Sequence, residues 1–432
     1  MNTSNRLSPV QGYKPQQLYK AKSVRLGGIF YLYVIWLLSL PFYRFSVVGT
    51  YSLDNLLAPL LCFTAIAVPS IPSAGLTAHR RKTILIALAI YSVYALAITF
   101  KFINNPDIFL AKAWNMLRDS FYFLVPMLYI RDQKSYRITK SVLMIMASLA
   151  GISALLAALG IVEFEVERFA ESRIGVDWLP KSIGLYSAYG DVAILFSFTV
   201  LMLVSHNKQQ IRFWLGSLPA KLSIITCLLA GFAGAQSRNM LLSVLVSYLV
   251  FRVFKKIEKA PRSRRNVLIM LYGLGGTMAA SLLLFLGSFI SQMISGLGGE
   301  KAQHTADQRV ESYDKAIELV WDSAFMGVDS VAYTRWGEMI EHLHNMWLSL
   351  LTLGGAFALF AVAGLMFYAA KGALGARAQS ANPIDKSIIL GVLAAMFIAT
   401  QFYPGLTDTF WLMLGVLMSF HWVAADPRMR DL

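Results

Sequence analysis

The sequence is dominated by apolar runs of the length that a bilayer-spanning helix needs. A transmembrane helix takes about 20 mainly apolar residues, and the chain contains roughly twelve such runs. We therefore expect an all-α polytopic membrane protein, with residues 1–432 forming a single multi-spanning membrane domain. The predicted spans lie near residues 27–43, 52–71, 83–103, 114–130, 141–162, 183–204, 214–235, 238–254, 267–293, 345–370, 387–403 and 408–425.

The composition agrees with this prediction. The chain is 56% hydrophobic and 15% charged, whereas a soluble domain is about 45–50% apolar and about a quarter charged. A net charge of +15 also occurs in nucleic-acid-binding proteins, but in a polytopic protein it is expected of cytoplasmic loops that face anionic lipid. We therefore expect membrane lipid as a partner and no nucleic acid.

Three local features refine the span assignment. The run near 114–130 is less regular than the others because it carries Arg118 and Asp119. The first ~25 residues lack a small-residue cleavage site, which favours a retained first helix over a cleaved signal peptide. Cys62 and Cys227 both fall within apolar runs, so they indicate neither a disulfide framework nor a metal pair.

The distribution of basic residues orients the chain, because cytoplasmic loops are enriched in Lys and Arg. With the N-terminus inside, every strongly basic segment falls on the same side, and the even number of spans places the C-terminus there as well. Both termini are therefore predicted to be cytoplasmic. The basic segments are residues 79–82, 131–140, 208–212, 255–265 and 371–386.

Two longer segments, Glu163–Ser182 and Ser295–Leu343, then lie outside the cytoplasm. In the second, Thr305-Ala306-Asp307-Gln308 matches a capping box at the start of a helix. Apolar side chains recur downstream at helical spacing with charged residues between them. This pattern predicts an amphipathic helix over about residues 306–321, lying at the outer membrane surface between spans nine and ten. The apolar positions are Val310, Tyr313, Ile317, Val320 and Trp321.

The strongest candidate for chemistry is the stretch Glu341–Leu348. It contains two of the six histidines, His342 and His344, at the point where a polar loop passes into a long apolar run. A titratable side chain in such a position is costly unless water, a partner or a substrate compensates it. The sequence therefore predicts a functional site at this outer membrane boundary.

Other ionisable residues are predicted on the same side. Arginine binds phosphate oxygens bidentately and stays charged, while histidine can accept a proton from a hydroxyl. Together they suit transfer of a group from a diphosphate to an alcohol, with the arginines stabilising the charge that develops. The additional candidates are Arg238 in a tight turn between two spans, Arg309 in the amphipathic helix, Arg173 in the other long loop, and Asp408.

Simpler interpretations stand beside this one. An arginine at a helix end can extend to lipid headgroups, Asp408 could simply be a helix N-cap, and an interfacial histidine can be structural. A His-x-His pair can also bind a metal, but the two side chains point differently on a helix, and no companion Cys/His cluster accompanies them. We therefore expect neither a metal nor a cofactor. The chain also lacks a Walker-type phosphate loop, which argues against ATP-driven work.

Several of these elements together resemble the signature of the O-antigen ligase and polymerase superfamily. They are Gln308-Arg309, the Gly-containing turn Trp321–Val328, and His342-Leu343-His344-Asn345-Met346-Trp347-Leu348 followed by Leu353-Gly354-Gly355. Ser237-Arg238-Asn239 and Ser172-Arg173-Ile174-Gly175 are similar to two further elements of that family. The resemblance covers the number of spans and most of the C-terminal half, while the first four spans match in hydropathy only.

Within the superfamily the sequence is most similar to O-antigen ligases. The resemblance implies a metal-independent inverting glycosyltransferase at the periplasmic face of the bacterial inner membrane. Its donor would be a polysaccharide carried on undecaprenyl diphosphate, and its acceptor the lipid A–core oligosaccharide. By the family pattern His344 is the base, Arg238 and Arg309 contact the diphosphate, and His342, Arg173 and Asp408 support them.

Two alternatives remain open at this point. The same short motif occurs in O-antigen and exopolysaccharide polymerases. A polysaccharide or lipid transporter is the second alternative, and it would place charged residues near the bilayer midplane, often in two related halves. No internal repeat is visible in the sequence.

Overall fold

The computed structural model describes residues 28–42, 46–48, 51–67, 74–162, 182, 185–186, 189–205, 217–261, 264, 310–341, 343, 345–374, 383–401 and 406–423. This part of the chain is mainly helical. It contains one small antiparallel hairpin, in which strand β1 (Ser46–Val48) pairs with β2 (Tyr51–Ser52).

The described helices are numbered in chain order. The first eight are α1 Gly28–Ser39, α2 Leu53–Ala67, α3 Ala74–Thr99, α4 Pro106–Tyr129, α5 Gln133–Ala158, α6 Tyr189–Ser205, α7 Leu218–Ala235 and α8 Arg238–Lys259. They are followed by α9 over residues 310–322, α10 Ser330–Glu341, α11 Met346–Leu374, α12 Pro383–Thr400 and α13 Asp408–Val423. Short 3-10 turns, Leu40–Phe42 and Phe100–Phe102, extend α1 and α3.

The predicted spans coincide with helices wherever the structure describes them. Only the run near 267–293 lies outside the described residues. Four described helices are long and apolar enough to cross a membrane: Ala78–Phe102, Gln133–Ala158, Leu218–Ala235 and Met346–Leu374. Shorter apolar helices occupy Gly28–Phe42, Leu53–Ala65, Tyr189–Ser205 and Lys386–Thr400. The chain is therefore a helical protein with membrane-spanning character.

Helix α4 covers the less regular predicted span and is longer than expected. It begins at Pro106 instead of near residue 114, and Asn105 caps it by accepting a hydrogen bond from the Ile108 amide at 3.5 Å. Proline suits this first helical position because it has no amide hydrogen to leave unpaired. The longer helix places Arg118 and Asp119 well inside α4, far from either end.

Small residues let neighbouring helices approach closely. A Cβ built on Gly151 of α5 would collide with the carbonyl of Cys227 in α7, and one on Gly234 of α7 would lie 2.5 Å from the backbone of Ala154 in α5. Close backbone approach through small residues is how helices associate in lipid, where burial of apolar surface gives little driving force. The backbones of α5 and α7 therefore pack in direct contact. Cys62 and Cys227 are both free thiols.

Contacts between antiparallel helices define two ends of the bundle. At the first, His79 Nε2 of α3 lies 3.1 Å from the carbonyl oxygen of His421 in α13, and Arg80 donates to the carbonyls of Met127 and Leu128 in α4. At the second, Lys101 at the other end of α3 donates to the carbonyl of Leu353 in α11 at 3.4 Å. We call these the His421 end and the Lys101 end.

Helix α11 is broken near the Lys101 end. Gly355 has φ +70°, which is not helical. In a regular helix the Ala356 amide would donate to the Thr352 carbonyl. Instead the Ala356 amide donates to the carbonyl of Phe325, and the Thr352 carbonyl accepts from the amide of Val328, both at 2.8 Å. The turn at residues 323–329 thus replaces the missing helical hydrogen bond with two bonds of its own.

We expect Gly355→Ala to destabilise the protein by on the order of 1–3 kcal/mol, because a residue with a Cβ is strained at this φ. Its Cβ would also lie 2.5 Å from the carbonyl carbon of Met326 and the carbonyl oxygen of Phe325. Thermal unfolding in detergent measures the effect. Gly364→Ala on the same helix is the control, since the nearest atom to its Cβ is Ile90 Cγ2 at 3.8 Å. Equal stability of the two variants would contradict the tight docking.

Candidate functional site

The predicted tight turn between α7 and α8 is confirmed. Helix α7 ends at Ala235, Gln236 adopts a left-handed φ of 45°, and Ser237 caps α8 by accepting from the Met240 amide at 3.4 Å. Arg238 is the first residue of α8. Its position in the helix is therefore fixed by the cap, while its side chain lies outside the described residues.

The asparagine of the His-Asn element has a defined structural role. Asn345 caps α11, since its Oδ1 accepts from the Leu348 amide at 3.1 Å and its carbonyl from the Ser349 amide at 2.9 Å. His342 and His344 lie outside the described residues, but Leu343 between them is buried. The backbone on both sides of His344 is thus anchored, by an apolar contact before it and a helix cap after it.

These two elements meet at the C-terminal end of α12. Asn239, which follows Arg238, donates from Nδ2 to the carbonyl of Ala399 at 3.3 Å. Asn345, which follows His344, donates from Nδ2 to Oε1 of Gln401 at 3.5 Å. The two acceptors are two residues apart, so the structure brings the starts of α8 and α11 to the same point although they are far apart in sequence. Sequence reasoning placed both on one face of the membrane but did not identify this contact.

The amphipathic helix is described from residue 310 onward, and it continues to 322. Arg309, the capping box at Thr305 and the other loop arginine, Arg173, lie outside the described residues. A second helix of the same segment, α10, was not predicted. The short sequence between them, residues 323–329, forms the turn that docks on α11.

The predicted apolar positions of α9 divide between two neighbouring stripes of the helix. The buried side chains are Ala316, Leu319 and Val320, and the first two pack in one cluster with Val328 and Ile340. Of the apolar positions expected on a single face, Val310, Ile317 and Trp321 are exposed. The periodicity merged two adjacent stripes, because Val320 borders both. Helix α9 therefore has a buried apolar stripe and an exposed apolar stripe beside it.

Asp408 is not an N-cap, so the simpler interpretation of this residue is wrong. Thr407 caps α13, its Oγ1 accepting from the Phe410 amide at 3.2 Å. Asp408 instead forms an ion pair across to α4, with 3.5 Å between its Oδ1 and Nη2 of Arg118. The two side chains are 32% and 35% exposed, so this pair borders space that water can enter.

Arg118 also joins Asp408 to a buried carboxylate. Its Nη2 lies 3.5 Å from Oδ1 of Asp119, whose other oxygen accepts from the Trp411 indole at 3.1 Å. Asp119 is only 5% exposed. A buried carboxylate is costly unless it is paired and hydrogen-bonded, and here α4 and α13 supply both kinds of partner. The ion pairs thereby join the middle of α4 to the start of α13.

A third carboxylate lies beside this pair. Asp54, in the first turn of α2, accepts a hydrogen bond from the Tyr122 hydroxyl, and Asn55 Oδ1 lies 3.2 Å from the same hydroxyl. Together with Arg118, Asp119 and Asp408 these residues form what we call the carboxylate cluster. The Arg118 guanidinium pairs with two of the three carboxylates, and Asp54 Oδ1, Asp408 Oδ1 and Arg118 Nε have no hydrogen-bond partner among the described residues. The cluster is thus electrostatically unbalanced and suited to hold a proton or a polar group.

Asp119, a buried member of the carboxylate cluster, lies deep in the bundle. Asp119 is nine residues before Leu128, whose carbonyl binds Arg80 at the His421 end. At about 1.5 Å per residue this is about 13 Å from that end, which is close to half of the ~30 Å hydrocarbon thickness of a bilayer. Sequence reasoning noted Arg118 and Asp119 only as a weakness of a predicted span. The available signal was two ionisable residues within an apolar run, which by itself marks a candidate functional position.

Comparison with protein-family models and with curated proteins finds no match to this chain. The resemblance to O-antigen ligases therefore stays a prediction. Among the described residues, no group of three or more His, Cys, Asp and Glu side chains is placed to hold a metal ion. The described contacts of the carboxylate cluster are ion pairs and hydrogen bonds.

We expect Arg118→Ala to lower the free energy of unfolding more than Asp408→Asn does, because the first change leaves both carboxylates unpaired. In the double variant the second change should restore part of the loss, giving a coupling free energy of about 0.5–3 kcal/mol. Thermal unfolding of the four proteins in detergent measures this coupling. Arg252→Ala is the control, since Arg252 stacks on Tyr248 at 5.8 Å. Strict additivity of the two changes would contradict the ion pair.

Proposed function

We propose that this chain is a polytopic glycosyltransferase of the O-antigen ligase type in the bacterial inner membrane. In this proposal about twelve helices cross the bilayer, both termini are cytoplasmic, and the Lys101 end faces the periplasm. The chain transfers O-antigen polysaccharide from undecaprenyl diphosphate to the lipid A–core oligosaccharide. The observation that carries the proposal is the meeting of the Arg238 and His344 elements at the C-terminal end of α12, through Asn239 and Asn345.

The proposed reaction needs a positive group and a base close together. The bond between the anomeric carbon of the sugar and the diphosphate breaks, and a new bond forms to a hydroxyl oxygen of the acceptor. Arg238 and Arg309 hold the diphosphate as its charge develops, while His344 takes the proton of the attacking hydroxyl. The carbon centre inverts, and no metal or cofactor takes part. Arg173 and His342 assist in binding.

Asp408 enters this proposal as a positioning residue. Its ion pair with Arg118 fixes the start of α13 against α4, directly after the chain has left α12. Residues 402–405 between them are outside the described part. Gln401 at the end of α12 and Leu406 before α13 are five residues apart in sequence, so the start of α13 lies close along the chain to the helix end that Asn239 and Asn345 contact.

We expect His344→Ala to abolish polysaccharide-capped lipopolysaccharide, while free polymer on its lipid carrier accumulates, because the acceptor hydroxyl loses its base. Gel electrophoresis of lipopolysaccharide from a complemented deletion strain measures this. His206→Ala is the matched control, since His206 lies in a loop predicted on the opposite face. Normal ladders of capped lipopolysaccharide in the His344→Ala strain would refute the role of this histidine.

The same gel separates ligase from polymerase. Loss of a ligase leaves bare core, whereas loss of a polymerase leaves a single repeat unit attached to the core. The polymerase remains the nearest alternative, because it shares the short motif that supports the ligase.

A transporter is the second candidate function, and one observation favours it. Arg118 and Asp119 lie in the interior of α4, far from either end, and transporters commonly place ionisable residues at such depths. A transporter would expose the positions around Arg118 alternately to both sides of the membrane.

Cysteine accessibility distinguishes these functions. In a glycosyltransferase we expect cysteines at positions 238 and 344 to react with impermeant reagents from the periplasmic side only. Cysteine at position 371, at the His421 end of α11, serves as the control for the opposite side. Labelling of position 344 from the cytoplasm would refute both the orientation and the mechanism, and labelling of position 118 from both sides would favour transport.

A further inference from the structure

Large apolar side chains on one stripe of α9 and on the turn that follows it are exposed and are not covered by the part of the chain that the structure describes. Ile317, Trp321, Phe325 and Met326 are 45%, 66%, 38% and 54% exposed. The rings of Trp321 and Phe325 pack edge to face, with centroids 4.9 Å apart. Four large apolar side chains in one exposed ridge are unusual for a surface in water. We call them the Trp321 ridge.

The order of the stripes around α9 indicates what covers the ridge. At about 100° per residue, Ile317 and Trp321 lie between the buried stripe of Ala316 and Leu319 and a charged stripe. The charged stripe consists of Glu311, Asp314, Glu318 and Asp322. A helix with one face on protein, the next face apolar and the third charged has the pattern of a helix at a lipid–water boundary. The ridge thus occupies the sector expected to face lipid.

The turn is held rigidly, so the ridge has a fixed orientation. Ala324 and Phe325 have left-handed φ values of 48° and 62°. Such values are costly for residues with a Cβ and persist only where the surroundings impose them. Here the carbonyl of Phe325 accepts from the Ala356 amide, and the Val328 amide donates to the Thr352 carbonyl. The Phe325 side chain is thereby presented outward from the break in α11.

The position of Thr352 and Ala356 along α11 sets the depth of the turn in the bilayer. Helix α11 is long and apolar enough to span a bilayer, and Lys371 lies in its last turn. Counting back about 30 Å of hydrocarbon at about 1.5 Å per residue from Lys371 reaches Leu351. The two anchoring positions, Thr352 and Ala356, therefore fall just inside the hydrocarbon boundary.

The ridge also continues a surface that faces lipid. Phe357 and Phe360 of α11, which follow the anchoring residue Ala356, are both strongly exposed on a membrane-spanning helix. On the other side of the unit, Trp336 of α10 lies under the cations of Lys315 and Arg335, at 4.9 and 5.1 Å. Tryptophan flanked by cations is typical of the membrane–water interface. The α9–turn–α10 unit thus has one apolar side, which continues the lipid-facing surface of α11. On its other side, Lys315 and Arg335 flank Trp336, as expected at the membrane–water interface.

We propose that the α9–turn–α10 unit is embedded in the outer part of one leaflet, with the Trp321 ridge in direct contact with lipid acyl chains. The occupant of the ridge is bulk bilayer lipid. This surface does not depend on the proposed glycosyl transfer, because it follows from the helix stripes and from the docking on α11.

Site-directed spin labelling of the full chain in lipid nanodiscs tests the proposal. In a background of Cys62→Ala and Cys227→Ala, cysteines replace Trp321, Phe325, Asp322 and Glu318 one at a time. Labels at 321 and 325 should collide several-fold more with oxygen than with a water-soluble nickel complex. Labels at 322 and 318, on the charged stripe of the same helix, should show the reverse preference.

Two outcomes would overturn the proposal. Preference for the nickel complex at 321 and 325 would place the ridge in water. Immobile labels shielded from both reagents would show that protein covers it, either another part of this chain or a second copy. Because a label at 325 can disturb the turn, a second measurement uses no label. Brominated phospholipid should quench the tryptophan fluorescence of the native protein more than that of Trp321→Phe, and equal quenching would also contradict the proposal.

Discussion

The break in α11 is the constraint on which this end of the molecule depends. Two backbone groups that would bond each other in a straight helix, the Thr352 carbonyl and the Ala356 amide, are separated at Gly355. Unpaired backbone groups at membrane depth are costly, so the break is stable only because Val328 and Phe325 supply partners. Lys101 satisfies the neighbouring Leu353 carbonyl. The α9–α10 segment is thereby joined to α11 by backbone hydrogen bonds, which require the close approach that Gly355 permits.

Two further polar systems organise the helices around this point. At the C-terminal end of α12, Asn239 and Asn345 fix the starts of α8 and α11 against one helix end. Deeper in the bundle, Arg118 fixes α4 against α13 through two carboxylates. The first system acts where helices begin, and there Asn345 also caps α11, because the first amides of a helix have no intrahelical acceptor. The second system joins the interior of α4 to the start of α13. In the proposed function, the reaction uses the helix starts that meet at the end of α12, while the Arg118 ion pairs hold α4 against α13.

Much of the helical framework could be predicted from the sequence, whereas the partners of the polar residues could not. The turn at Gln236 was predicted because two long apolar runs meet there. Asp408 was interpreted as a possible cap because sequence cannot show that Thr407 takes that role and that Arg118 lies opposite. The apolar positions of α9 were predicted as one stripe because helical periodicity does not separate adjacent stripes when both are apolar. Only the neighbouring helices decide which stripe is covered.

The sequence by itself determined that the chain forms apolar helices of membrane-spanning length, since about 20 consecutive apolar residues leave few alternatives in lipid. It also determined where arginine and histidine fall relative to those helices. Tertiary structure decided which helix starts meet, which carboxylates share Arg118, and how the turn at Phe325 reaches α11. The physical reason is that hydrophobic burial has no direction, whereas hydrogen bonds and ion pairs require particular atoms at particular distances.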